Sequence, residues 1–147
     1  MNNTVSIQQA IKFLYLQIIK VDFSNKYCGN RVFPADINMN FTFATSALTQ
    51  NTTGNKLENS FCVKFIMKFT DKEEIINFSI EANAIFETSL PVTDDFLASD
   101  FAKLNAPAIS FPFLRAFISN FTLNAGYNPI ILPAFNFSKA EEVKQTE

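Results

Sequence analysis

The chain has 147 residues, a formal charge of −2, a pI near 5.2, no histidine and two cysteines. Lysines and acids are interspersed, which excludes a dedicated nucleic-acid binder with its basic face, and Cys28 and Cys62, with no CxxC pair and no imidazole, exclude the usual metal frameworks. Eighteen phenylalanines against no tryptophan exceed what one small core readily hides, which points to an interface or an apolar groove, with an Asn-, Ile-, Lys- and Phe-rich coding bias as the other source.

No linker, repeat or low-complexity tract divides residues 1–147, so a single domain is expected, large enough to bury roughly 70% of its unfolded surface. The opening MNNTVSIQQAIKFLYLQIIK lacks the basic start, uninterrupted apolar core and small-residue site of a signal peptide. No window approaches the ~20 apolar residues of a membrane span, so a cytoplasmic protein without membrane insertion is expected. The Asn-x-Ser/Thr triplets at Asn40, Asn51, Asn77, Asn120 and Asn136 are then products of composition rather than glycan acceptors.

The first strand is predicted from Phe13, Tyr15, Ile19, Val21 and Phe23 on one side, alternating with Leu14, Leu16, Ile18, Lys20 and Asp22. Residues 24–36 break the pattern with Gly29 and Pro34 and are too long for a tight hairpin, which predicts a crossover loop carrying Tyr27, Val32 and Phe33. Apolar rings on a loop either lid the core or line something. From Ile37 the alternation is clean, with Ile37, Met39, Phe41 and Phe43 inward against Asn38, Asn40 and Thr42. The turn QNTTGN leads to a third strand with Phe61, Val63, Phe65, Met67 and Phe69 inward. A turn at residues 70–73 leads to a fourth, with Ile76, Phe78, Ile80, Ala82, Ala84 and Phe86 inward against Asn77, Ser79, Glu81 and Asn83. These three strands form a meander.

Pro91 and Thr93 end the sheet, and Asp94 and Asp95 suit a helix start by complementing its dipole. A short helix is predicted near residues 94–104. A second begins at Asn105-Ala106-Pro107, with Asn105 as cap, and runs to about Asn124, where Gly126 and Pro129 stop it. Pro112 falls inside it and predicts a bend. Phe113, Leu114, Phe117, Ile118 and Phe121 gather into one broad apolar stripe that must be covered. The tail after Phe137 reads as a short, solvated, fraying helix. The fold class is α+β: a four-stranded antiparallel sheet, then a long C-terminal helix bent or broken near Pro107, and a short tail.

The run Asn105 to Arg115, with Pro107 followed by Phe111-Pro112-Phe113, then a Phe/Ile-rich helix, Gly126, Pro133 and Asn136-Phe137, resembles the SecB family of protein-export chaperones. The resemblance implies a four-stranded antiparallel sheet followed by helices. It also implies a homotetramer, a dimer of dimers with long helices at its centre, that binds unfolded preproteins in apolar grooves. By order of elements, the groove candidates are Tyr27, Val32 and Phe33 in the loop and Ile130, Ile131 and Phe135 after the long helix; Phe113, Phe117 and Phe121 are candidates for oligomer interface or core. Family members dock on the SecA motor through acidic residues of the exposed sheet face. Asp22 and Glu81 match that pattern in part, since Ser24 and Asn25 stand where a further acid is expected.

No nucleophile, base or phosphate-cradle template fits, so neither catalysis nor a cofactor is expected. Holding at equilibrium needs no ATP site: unfolded chains alone present several apolar side chains and free backbone along an extended segment. Two other readings stay open. One is a SecB-like chaperone dedicated to a single partner, such as an antitoxin of a toxin–antitoxin system. The other is a hotdog-like acyl thioesterase using Asp94, Asp95 or Asp100, although hotdog proteins place their central helix early in the chain.

Overall fold

The computed structural model describes residues 10–34, 37–50 and 53–138; the helix expected in the tail falls almost wholly outside them. Four strands, β1 (Ile11–Asn25), β2 (Asn38–Thr49), β3 (Lys56–Thr70) and β4 (Ile76–Thr88), make one antiparallel sheet in the order β1-β4-β3-β2. The meander β2-β3-β4 is present, and the crossover loop carries the chain from β1, beside β4, to the opposite edge.

The central strands bury their inner rows most completely. Phe61, Val63, Phe65 and Met67 of β3 and Phe78, Ile80, Ala82, Ala84 and Phe86 of β4 are almost wholly removed from water. Each large side chain so buried contributes about 1.5–3 kcal/mol. Phe61 stacks on Phe86 with centroids 5.0 Å apart, tying the two strands together face to face.

The edge strand β1 corrects the predicted phase. Its register slips between Phe13 and Tyr15 and again between Ile18 and Lys20, so Leu14 and Ile19 are each one residue more than β4 can pair. Because side chains alternate with period two, each slip exchanges the faces. Ile11, Phe13, Leu16, Ile18, Val21 and Phe23 pack on the core, whereas Tyr15 and Ile19, which local alternation groups with Phe13, Val21 and Phe23 on one side, are exposed.

Beyond the sheet, Thr93 caps α1 (Asp94–Leu97), its Oγ1 accepting the Phe96 amide at 3.1 Å, with Asp94 and Asp95 in the first turn. A π-helical turn, Phe101–Asn105, then runs directly into α2 (Ala106–Asn124). Pro107 explains that turn. It has no amide for the carbonyl four residues back, and its ring would crowd that carbonyl; widening the turn, with the Ala106 amide on Phe101 O, relieves both. Asn105 therefore lies in helical conformation and makes no side-chain cap, contrary to expectation. The helix runs on through Pro112, whose position is exposed.

The stop at Gly126 is as predicted. The Gly126 amide bonds Leu123 O and the Tyr127 amide bonds Thr122 O, with Gly126 at φ +100°, a Schellman ending that requires the left-handed conformation glycine adopts freely.

Candidate functional site

The inner face of the sheet is covered by two unlike elements. Helix α2 lies over β1 and β4, with Phe113 on Phe13 at 4.5 Å and Phe121 against Phe23 and Phe78 at 6.0 and 5.3 Å. Over the β2 side, residues 127–137 run back along α2 without helix or strand. Thr122 and Ser119 pin this segment: Ile130 N–H donates to Thr122 Oγ1 at 2.9 Å, and Ser119 Oγ–H donates to Ile130 O at 2.6 Å. Leu132 and Phe137 turn into the core.

The buried row of α2 runs through Phe111, Leu114, Ile118 and Thr122, and Phe117 and Phe121 of the expected stripe pack beside it. Leu114 and Ile118 belong to both. Phe113, 51% exposed, lies on the flank, Phe117 is half-buried, and Phe121 packs among core rings. Ile109, Phe113 and Leu123 are the exposed large apolar residues of α2, an outward row that its own chain covers only in part.

The crossover loop and the returning segment meet. Asn128 N–H donates to Arg31 O at 2.8 Å, Arg31 Nε–H donates to Gly126 O at 3.0 Å, and the Phe33 ring lies 5.0 Å from Tyr127. Tyr127 also touches Phe23, so Phe33 is tied to the core through it. Of the residues predicted for the groove, Tyr27 (63% exposed), Val32 and Ile131 (77%) offer apolar surface to solvent, while Phe33 and Ile130 are half-buried beneath. Phe135 sits apart from them in an aromatic cluster with Phe41, Phe111 and Phe137, at centroid distances of 5.0, 6.1 and 4.8 Å. Phe43 joins through Phe137.

Tyr127, Phe41 and Phe43 were not among the sequence candidates. The Phe41 and Phe43 rings look like core in a strand pattern and become partly open because β2 is an edge strand, which local alternation does not reveal; Tyr127 follows the helix stop, where no periodicity marks it.

The outer face brings Asp22 and Glu81 onto adjacent strands, with Lys20 opposite Glu81 and Asp22 opposite Ser79. Both acids already face lysines: Lys20 Nζ is 3.1 Å from Asp22 and Lys64 Nζ is 4.0 Å from Glu81. Asp94, Asp95 and Asp100 are exposed at helix starts that follow all four strands. Among the described residues no group of His, Cys, Asp and Glu could hold a metal ion, and no helix is long and apolar enough to cross a membrane.

A four-stranded antiparallel sheet with its helices after the last strand, and apolar side chains displayed on a crossover loop and a returning coil, is the architecture of a SecB-type chaperone. The family model of SecB, preprotein translocase subunit SecB, matches residues 29–145, and the chain belongs to that family. Among solved structures it is similar to the Mycobacterium tuberculosis Rv1957 SecB-like chaperone in complex with a ChAD peptide from the Rv1956 HigA1 antitoxin. That likeness has a TM-score of 0.61 at 12% identity and covers 86% of this chain and 90% of the other, so it is one of fold. The uncharacterized protein MJ0357 of Methanocaldococcus jannaschii is 38% identical over 74 residues; the match takes in 48% of this chain and about half the length of that relative, 46%.

Proposed function

We propose that this chain is an ATP-independent holdase that binds unfolded polypeptides. The observation that carries this reading is the exposure of Tyr27, Val32 and Ile131 on two segments held side by side by the Arg31–Asn128 and Arg31–Gly126 bonds. Apolar side chains displayed on pinned coil offer an extended client both contact area and a fixed platform, and a folded protein with its own apolar groups hidden has nothing to place there. Phe135 and its neighbours extend the apolar surface toward the β2 edge. No catalytic step is involved, and the acids at the helix starts serve as dipole partners. The outward row of α2, with Phe113 at its middle, supports assembly of copies into a dimer of dimers. The site of action is the cytoplasm, on one continuous domain.

Delivery has two readings. In the first, clients are preproteins handed to SecA, with Asp22 and Glu81 as docking acids. In the second, the chain serves one dedicated partner such as an antitoxin. The pairing of both acids with lysines favours the second, because a carboxylate already facing an ammonium attracts a basic partner less.

The test is refolding of tryptophan-containing clients diluted from denaturant, followed by fluorescence without nucleotide; this chain has no tryptophan, so the signal is the client's alone. Delayed refolding of several unrelated clients, with no binding to their folded forms, is the expected result. Delay of one client only would establish the dedicated role, and delay of none would end the holdase reading.

A further inference from the structure

Ala102, in the π-helical turn before α2, is wholly buried, so water cannot satisfy its carbonyl. The i→i−5 pattern of that turn puts the Ala106 amide on Phe101 O. The next donor in the pattern, for Ala102 O, would be the amide of residue 107, which is proline and has none. The missing bond comes from outside the helix: Thr45 Oγ1–H donates to Ala102 O at 2.8 Å. Thr45 lies opposite Val63 in the inner row of the edge strand β2, which Phe41 and Phe43 begin. The same turn carries Leu104 and Asn105. With Ala108 they line an open cavity of about 430 Å³ whose other side is formed by Phe135 and Phe137, beside Phe41 and Phe43.

We propose that Thr45 is a positioning residue of the client surface: its hydroxyl replaces the amide that Pro107 lacks, holds the π turn open, and so fixes which side chains line this cavity. The proposal rests on the holdase reading and adds to it the residue that shapes the β2 end of the binding surface. Each residue of an α-helix turns the chain by about 100°, so closing the π turn to an α turn would rotate Leu104 and Asn105 by about that angle relative to α2. Helix α2 is held on the sheet by Leu114 and Ile118, both fully buried, which leaves the turn as the part that moves. Without the hydroxyl, Ala102 O is a buried acceptor with no donor, and the turn sheds that cost by opening to water or by changing pitch. The simpler role of Thr45, filling its place in the inner row, is separable. Valine keeps the shape and removes the hydroxyl, whereas serine keeps the hydroxyl.

The experiment joins a double-mutant cycle in denaturant melts, Thr45→Val with Pro107→Ala, to anisotropy of a labelled apolar twelve-residue peptide. Alanine at 107 restores an amide, so Ala102 O takes that amide in a π pattern or the Ala106 amide in an α pattern, and the hydroxyl is no longer needed. Thr45→Val is expected to lower the folding constant about tenfold in the parent and by less than about twofold beside Pro107→Ala. Under conditions where every variant is fully folded, peptide affinity is expected to fall about fivefold in Thr45→Val and to stay within about twofold of the parent in Thr45→Ser. An equal cost of Thr45→Val in both backgrounds overturns the proposal, because the hydroxyl then does not replace the proline's amide. Unchanged peptide affinity in Thr45→Val overturns the positioning role and leaves the holdase reading standing. A loss of affinity that Thr45→Ser shares in full assigns the effect to packing and overturns it too. Failure of the parent itself to bind the peptide removes the holdase reading and the positioning role with it. Should Pro107→Ala fail to fold, the comparison of valine with serine still decides.

Discussion

The two covers of the sheet's inner face solve the same burial problem with opposite results for the surface. Helix α2 satisfies its backbone internally, so over β1 and β4 it needs only an apolar stripe, Leu114 and Ile118 being fully buried. Residues 127–137 have no such internal ladder and depend on Thr122, Ser119 and Arg31 for partners. A helix of this kind closes its side of the core, whereas a pinned coil leaves side chains such as Ile131 and Phe135 splayed and open. Regular packing carries stability; irregular packing leaves apolar surface open.

Substitutions sharpen that contrast. Leu114→Ala, on the helical side, is expected to cost about 2–5 kcal/mol in denaturant melts, since a fully buried side chain leaves a cavity. Thr122→Val leaves the Ile130 amide without its acceptor; a loss of about 1–3 kcal/mol is expected, with faster hydrogen exchange concentrated in residues 127–137. A uniform rise in exchange would mean that the coil is not a separate unit. Gly126→Ala, at φ +100°, is expected to cost about 1–2 kcal/mol through backbone strain, since nothing lies within 4 Å of the added methyl.

Phe113→Asp tests the outward row with a smaller effect on the fold, because that ring is half exposed. Light scattering is expected to show a smaller assembly with the melt little changed, and an unaltered mass would remove α2 from the interface. Phe117 is a poorer probe, being half-buried against the core. The smallest stability change, within about 1 kcal/mol, is expected for Ile131→Ala, at a side chain 77% exposed, yet client affinity should fall about tenfold. Full affinity in that variant would move the client site elsewhere.

Much of this was legible in residue order. The inner rows of β3 and β4, the start of α1 at Asp94, the end of α2 at Asn124 and the glycine stop follow from period-two alternation and local capping chemistry; in the edge strand β2 the alternation holds for Phe41 and Phe43, whereas Met39, expected inward, is exposed because nothing among the described residues covers that end of the edge. The Pro107-x-x-x-Phe111-Pro112-Phe113 run pointed to the family to which the chain belongs. The phase of β1 was not legible, because the extra residues Leu14 and Ile19 exist only relative to the register of β4. Nor was the buried row of α2, since Phe113 and Phe111 are equally apolar and only the position of the sheet chooses between them. The capping role assigned to Asn105 failed for a related reason: a helix can be entered through a π turn rather than begun afresh.

The sequence by itself determined what depends on near neighbours along the chain: element types, their order, the left-handed stop at Gly126 and an excess of apolar rings. Only the tertiary structure decided which rings remain open. Exposure depends on which strands are edges and on what returns to cover them, as when residues 127–137 fold back to bring Tyr127 against Phe33 and Phe135 against Phe41, contacts between residues about 94 positions apart.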